Sequence, residues 1–549
     1  MYSVDTSNCQ VILRYSDVFS ERKPNLIDKI KKANMHKIIS IISELIQIRD
    51  AECESTSVGG MKISIPLETV LKRDYCGMKA ESPEKIIENP MLRKNQLIIS
   101  LQMLLILLKK VIIYGNYDSL KNNIYEITDQ DYKEVIMMQL LVADEISRKN
   151  EIPIDSDHFL YASYHLNYKR DVANEFSRMY YMMECLSTNP QLFSDNIKEY
   201  RNYYEKFTSK YGVTPTEYSS LLFRELQYYY SKKNKLSKTK NWRNIDTLYK
   251  HANEKEKLSK VINILIKKPD ELRDWAKETE TKEWDFKLFY EFPFISDGRS
   301  EYISVSDVTL RNAFFEKIFW LIRNCYPKED STSMAFFGRL FERYIQDATK
   351  EACSNNYTYI NEFHIQQNKK GELKSSDAYV RKNNNLLAVE AKGFSVLNDC
   401  MTKGVDIEKN NKKLFVDPVL QADEFLSKVW TNEKKFNGID EVFIISVTFD
   451  NINAVPQYYY DIYNKINENK KCHKVHYYFN FSIEEYEMLL YAIELGIDIF
   501  VILKNYFENK IISPFCNYLT EQVADIKMTK FIKNNFDSAV YKMNEILGG

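Results

Sequence analysis

Ser376-Asp377-Ala378-Tyr379-Val380-Arg381-Lys382-Asn383-Asn384-Asn385-Leu386-Leu387-Ala388-Val389-Glu390-Ala391-Lys392-Gly393 is the stretch on which the reading of this 549-residue chain turns. Two strand-like runs, Ala378–Arg381 and Leu386–Ala391, flank a polar Asn-rich tract, the chemistry of a tight turn. With the tip between Asn383 and Asn384, antiparallel partners have numbers that sum to 767, and Asp377 faces Glu390. Opposed strand residues have Cβ atoms about 4.5–5.5 Å apart, and like charges so placed repel. A cation between the two carboxylates removes that cost. Lys392 follows Glu390 by two positions and projects from the same face of its strand. Leu386 and Ala388 share that face, so the carboxylate is expected on a partly apolar surface rather than a solvated one.

Asp377, Glu390 and Lys392 together resemble the signature of the PD-(D/E)XK nuclease superfamily, with Ser376 at the position of the name-giving Pro. Glu-x-Lys also occurs at Glu280/Lys282, Glu372/Lys374, Glu468/Lys470 and Glu508/Lys510, none of them in so apolar a strand setting. The flanks extend the resemblance. Phe337, Leu340, Phe341, Tyr344, Ile345 and Ala348 follow helical spacing behind capping candidates Ser331, Thr332 and Ser333. A strand-like run, Tyr357–Ile365, precedes the hairpin; a helical stretch, Val419–Leu426, and an apolar strand, Glu441–Phe449, follow it. Helix, three strands, helix, strand is the core order of the restriction-endonuclease-like fold, over roughly residues 331–450.

That resemblance implies a site. Asp377, Glu390 and the Ala391 carbonyl are expected to hold Mg²⁺ or Mn²⁺, hard cations that take oxygen ligands. Glu342, beside the helical stripe, resembles the acidic residue that the superfamily's first helix contributes to its metal site. Lys392 is expected to position the attacking water or stabilise developing charge. Gln421 resembles a Gln that some branches place on the helix after the hairpin.

Composition narrows the class. An apolar content of 44% with 28% charged residues belongs to a well-folded globular protein. The nine cysteines form no CxxC pair, so thiols in a reducing cytosol are expected, and Cys472-His473-x-x-His476 lacks a second ligand pair for zinc. Met1–Gln10 is polar, without a signal-peptide pattern, and the most apolar run, Leu97–Leu108, is too short to span a bilayer. A cytoplasmic protein without a membrane partner is the expectation. A net charge of −1 excludes nucleic-acid binding through bulk charge alone. Residues 231–270, however, hold twelve Lys/Arg against four Asp/Glu, or +8, which leaves the remainder at −9. The segment reads equally as a phosphate-binding arm or as a solvated linker. Neither the Gly-Lys-Ser/Thr phosphate loop nor the paired-glycine dinucleotide fingerprint is present.

The pattern predicts an α+β multidomain chain: a mostly helical N-terminal half, the restriction-endonuclease-like core with a mixed sheet flanked by helices, and a helical tail. The divisions read are a mixed region over 1–90, a helical domain over 91–283, a bridge over 284–330, the core over 331–480 and a helical region over 481–549. Strands are expected at Gln10–Tyr15, Met61–Val70, Phe286–Phe294 and Lys474–Phe481, and helices around Met35–Ile48 and Leu310–Cys325. The function expected is a divalent-metal-dependent endonuclease acting on nucleic acid, DNA ahead of RNA, in restriction or anti-phage defence. The alternative is a catalytically inactive binding or scaffold protein that keeps the fold. Self-association or a protein partner would use the helical regions.

Overall fold

The computed structural model describes residues 11–49, 52–58, 61–78, 96–121, 126–149, 162, 171–231, 236–238, 241–353, 356–367, 371–393, 396–430, 433–449, 456–509 and 514–548. The protein is α+β and forms two compact units, each built from two separate chain segments: Met1–Asp155 with Arg224–Ala313, and Ser156–Phe223 with Phe314–Gly549. This differs from the division expected over 91–283 and 481–549. Helix Val172–Tyr180, from the middle of the expected helical domain, packs instead on the C-terminal helix Lys530–Leu547, with Phe176 edge-on to Phe536 at 6.4 Å. Helical periodicity marks a buried face but does not say which core receives it.

The second unit is organised by a five-stranded sheet. Its elements, in chain order, are α1 (Thr332–Ala352), β1 (Thr358–Asn361), β2 (His364–Gln367), β3 (Gly371–Lys374), β4 (Ala378–Lys382), β5 (Asn385–Lys392), α2 (Asp417–Val429), β6 (Glu441–Thr448), β7 (Val475–Ser482) and α3 (Ile483–Glu494). The sheet order is β7-β6-β5-β4-β1, while β2 and β3 pair as a separate hairpin arm. The β1/β4 and β4/β5 pairs are antiparallel; β5/β6 and β6/β7 are parallel. Every β4/β5 pair, from Ala378↔Val389 to Lys382↔Asn385, sums to 767. The turn is made by Asn383, whose φ of +53° is tolerated by the short amide side chain.

The inner strands are apolar without interruption because helices cover both faces. On one face Val419, Ala422, Phe425, Leu426 and Val429 of α2 join Tyr379, Leu386, Ala388, Val442 and Ile444 in a single core. On the alternate face Val380, Leu387, Val389, Phe443 and Ile445 are equally buried. α1 lies against β1, β4 and β5 and buries all six residues of its predicted stripe. Its cap, however, is Asp330: one carboxylate oxygen accepts the amides of Thr332 at 3.0 Å and Ser333 at 3.2 Å, while Ser331 makes no side-chain cap bond. α3 begins with the Ser482/Glu485 capping box and stops before Gly496, whose φ is +75°.

In the first unit, helices Met35–Ile48, Leu101–Tyr114 and Asp129–Lys149 pack together, and the apolar run Leu97–Leu108 mostly forms the buried helix. Among the described residues no helix is long and apolar enough to cross a membrane. Several sequence expectations give way here. The run Phe286–Phe294 is a short helix, Lys287–Glu291, that buries Phe289, and only Phe294–Ser296 is strand. A two-residue strand, Val11–Ile12, gives way to helix Tyr15–Val18, and strand Met61–Pro66 gives way to helix Leu67–Asp74. In each case an apolar run too short to show a period was read as strand.

The described part of the basic segment from 241 to 270 is folded rather than a solvated linker: helix Lys255–Leu265 buries Leu258, Val261 and Leu265. Lys238, Arg243, Lys255, Lys257, Lys260 and Lys267 each pair with a carboxylate. Lys232, Lys233, Lys235 and Lys240 lie outside the described residues.

Candidate active site

Asp377 immediately precedes β4, and Glu390 and Lys392 lie at the C-terminal end of β5, so the antiparallel register places both carboxylates at one end of the sheet. Both residues are buried, with 3% and 2% of their surface exposed. Asp377 is held from two sides: one oxygen accepts the Ala391 amide at 2.8 Å, and the other meets the Lys374 ammonium at 3.2 Å. The observed contribution of Ala391 is thus its N–H, which fixes Asp377. Lys392 reaches Glu390 at 3.4 Å and donates to the Gln421 side-chain oxygen at 3.1 Å. Gln421 projects from α2, the helix over this face of the sheet. The geometry therefore brings Asp377, Glu390, Lys392 and Gln421 together from three elements.

Glu342 reaches the same site from α1. Its carboxylate sits between Arg339 at 2.9 Å and Lys374 at 3.5 Å. Arg339 is shared with Glu199 at 3.0 Å. Glu362, just beyond β1, completes the ring, 3.2 Å from Lys374. Gln346 ties it to the hairpin by donating to Glu362 and to the Asp377 carbonyl, both at 3.1 Å. Sequence reasoning missed Glu362 and Lys374. Lys374 belongs to the Glu372/Lys374 pair set aside as a mere occurrence of Glu-x-Lys. A signal was present: Lys374 stands three residues before Asp377, within side-chain reach of the same sheet end.

Concentrated negative charge leaves its mark on the acids. Burial, reinforced by the facing Asp377 charge, pushes the Glu390 carboxyl up to about 8, so without an added cation it carries a proton at neutral pH. Burial and Asp377 also raise Glu342, although Lys374 and Arg339 oppose the shift. For Lys374, burial works against its charge, but Asp377, Glu342 and Glu362 outweigh it and hold the ammonium protonated.

A close backbone approach locks α1 over this end. A Cβ at Gly393 would lie 3.2 Å from the Gly338 Cα, a contact tight enough that the helix would have to give by a few tenths of an ångström. The donor set is four carboxylates plus amide oxygen, with the His364 imidazole 3.3 Å from Glu362 at its edge, and the oxygen-rich lining fits a hard divalent cation such as Mg²⁺ or Mn²⁺.

Two other groupings carry metal-ligand residue types. In the first unit, His36, Asp297 and Glu301 bring one ligand atom each within 4.8 Å of one another. Asp297 is already engaged in its own turn, accepting the amides of Arg299 at 2.8 Å and Glu301 at 3.1 Å and facing the Arg299 guanidinium at 3.3 Å. Cys472 is buried while His473 and His476 are exposed, and they form no ligand group among the described residues.

No protein-family model matches the chain, and no curated protein or solved structure matches it.

Proposed function

We propose that the protein is a divalent-metal-dependent nuclease with a restriction-endonuclease-like core, hydrolysing phosphodiester bonds of nucleic acid, DNA ahead of RNA. The observation that carries this reading is the convergence of Asp377, Glu390, Lys392 and Glu342 at one end of a mixed five-stranded sheet flanked by helices. Asp377, Glu390 and Glu342 would hold Mg²⁺ or Mn²⁺. Such an ion supplies charge neutralisation at the phosphate and a lowered pKa for bound water. Lys392, held by Glu390 and Gln421, presents a fixed ammonium at the rim of the site, where it can orient a water or meet developing negative charge on the phosphate. Ala391 fixes the Asp377 carboxylate through its amide, so one oxygen is oriented and the other is turned into the site. Gln346 braces the same loop. Restriction or anti-phage defence is the biological setting that a nuclease core joined to a large helical region fits best, by analogy at the level of fold.

The test is direct. Purified protein with Mg²⁺ or Mn²⁺ is incubated with supercoiled plasmid, linear DNA and RNA, beside Asp377→Asn and Lys392→Ala variants. Cleavage that both substitutions remove supports the assignment. Nucleic-acid binding without cleavage under every metal condition would instead identify a scaffold that retains the fold.

A further inference from the structure

Beyond β5 the chain returns over the sheet as one bent helix: Ile407–Asn411, a π-helical turn Lys412–Val416, and α2 follow in direct succession. Pro418 accounts for the bend. It has no N–H, so the Leu414 carbonyl lacks its ordinary donor four residues on, and the Asp417 amide reaches back five residues to Lys412. The Ser446 hydroxyl donates to the Leu414 carbonyl and the Asn480 amide to the Phe415 carbonyl, both at 3.2 Å. Glu390, Ser446 and Asn480 are successive partners across β5, β6 and β7. The bend is thereby pinned to the row of the sheet that holds Glu390, with Ser446 one strand spacing, about 4.8 Å, from it.

The outward face of this helix carries cations. Lys409, Lys412 and Lys413 are exposed, and Asp417 is the one acid between Lys409 and Gln421, so the stretch is +2. In an unbroken α-helix Gln421 would stand about 80° round from Lys413. The π turn underwinds the helix and brings the two toward one face. Lysines around this helix are neutralised: Lys403 by Asp399, Lys465 by Glu408, and Lys428 and Lys471 by Glu424. Among the described residues neither Lys409 nor Lys412 has a carboxylate partner. Burial and the neighbouring Lys409 charge lower the Lys413 ammonium from its ordinary value, so the two cations sit close enough to repel. An anion laid over the face relieves that repulsion.

We infer that Lys409, Lys412 and Lys413 seat the sugar–phosphate backbone of a nucleic acid and lead it along the bent helix to Gln421 and Lys392. The inference rests on the nuclease reading for what happens to the backbone at Lys392, not for its binding. From Lys409 to Gln421 the helix axis runs roughly 18 Å at 1.5 Å per residue. That is about five nucleotide steps at 3.4 Å per step. The face is long enough to hold several phosphates on one side of the reacting one. The hydrogen bond from Lys392 to Gln421, 3.1 Å long, joins this seat to the site.

Fluorescence anisotropy with labelled duplex DNA, single-stranded DNA and RNA oligonucleotides tests this on the full-length Asp377→Asn protein with Mg²⁺, where no cleavage intervenes. Combined Lys409→Gln, Lys412→Gln and Lys413→Gln should weaken binding roughly 10–100-fold at about 0.15 M salt. The slope of log affinity against log salt should flatten by about 2–3, at 0.7–0.9 per lost phosphate contact. The same three changes to Arg should keep the affinity. Combined Lys428→Gln, Lys465→Gln and Lys471→Gln, an equal loss of charge at paired lysines, should cost less than about twofold. Thermal scans guard against misfolding: the Lys409/Lys412/Lys413 variant should melt no lower than its parent, because it removes exposed charges that repel. Equal losses in the two Gln variants would mean that binding follows bulk charge, and the seat is wrong. Unchanged affinity and slope in the Lys409/Lys412/Lys413 variant, with cleavage by wild type, would remove the seat and leave the nuclease reading. Binding that depends on the seat, with no cleavage by wild type under any metal condition, would keep the seat and remove the nuclease reading. Failure to bind all three probes overturns the seat outright.

Discussion

Replacing Asp377 by Asn removes one of two facing charges with almost no change of shape, and its consequence should be read at Glu390. Opposed residues in an antiparallel pair are about 5 Å apart. At an effective dielectric of about 20, two unit charges at that distance repel by roughly 3 kcal/mol, an upper limit that corresponds to about 2 pH units. The Glu390 pKa of about 8 has burial as its larger cause and Asp377 as its second. Asp377→Asn should therefore lower it by roughly 1–2 pH units and leave it above the ordinary 4.5, since burial persists. The folded carboxyl holds its proton more tightly than the unfolded one. Its contribution to metal-free stability is thus full below about pH 4.5 and is lost as pH rises toward about 8. The assay is urea denaturation in EDTA from pH 4 to 9, with Glu390→Gln as the non-titrating reference in each background. The difference curve for wild type should fall across that window, and with Asn at 377 the upper end should move to about 6–7. An unmoved window would show that the two carboxylates do not face each other, and the metal-site reading would lose its basis.

Asp377→Ala and Asp377→Asn should both abolish cleavage, but Ala should be less stable by about 1–3 kcal/mol, because it strands the buried Ala391 amide that Asn can still accept from; denaturation midpoints in EDTA measure the difference. Lys392→Ala should lower turnover about 10²–10³-fold with a much smaller effect on substrate affinity, since its role lies in the transition state; weaker binding with unchanged turnover at saturation would make it a phosphate contact only. Gly393→Ala should destabilise by about 1–3 kcal/mol through its clash with the Gly338 backbone, whereas Gly338→Ala, whose added methyl meets nothing within 4 Å, should be neutral or stabilising by up to about 1 kcal/mol; equal melting temperatures for the two variants would show that the helix does not press on this strand end.

What the sequence determined by itself about this protein is what short-range rules control. The β4–β5 register followed from one turn and strict alternation, so the pairs from Ala378↔Val389 to Lys382↔Asn385, which bring Asp377 and Glu390 to the same sheet end, were legible to the residue. The long helix Thr332–Ala352 and the box that starts α3 were legible for the same reason: 3.6-residue periodicity and capping are local. Gln421, taken only from the resemblance to the superfamily, accepts a hydrogen bond from Lys392, a contact that the packing of α2 on the sheet supplies. Tertiary structure alone decided the rest. Glu362 and Lys374 reach the site because they stand at the base of the β2–β3 hairpin, next to the Asn361↔Ala378 pair that joins β1 to β4, and only the nearness of Lys374 to Asp377 in sequence hinted at it. The cap on Asp330 instead of Ser331 reflects the chain's path into the helix, not its composition. Apolar runs such as Phe286–Phe294 are compatible with strand or helix until a core selects one. The division into two units, each closed by distant segments, was equally out of reach. A buried face records that a helix has a partner, and only long-range packing chooses which.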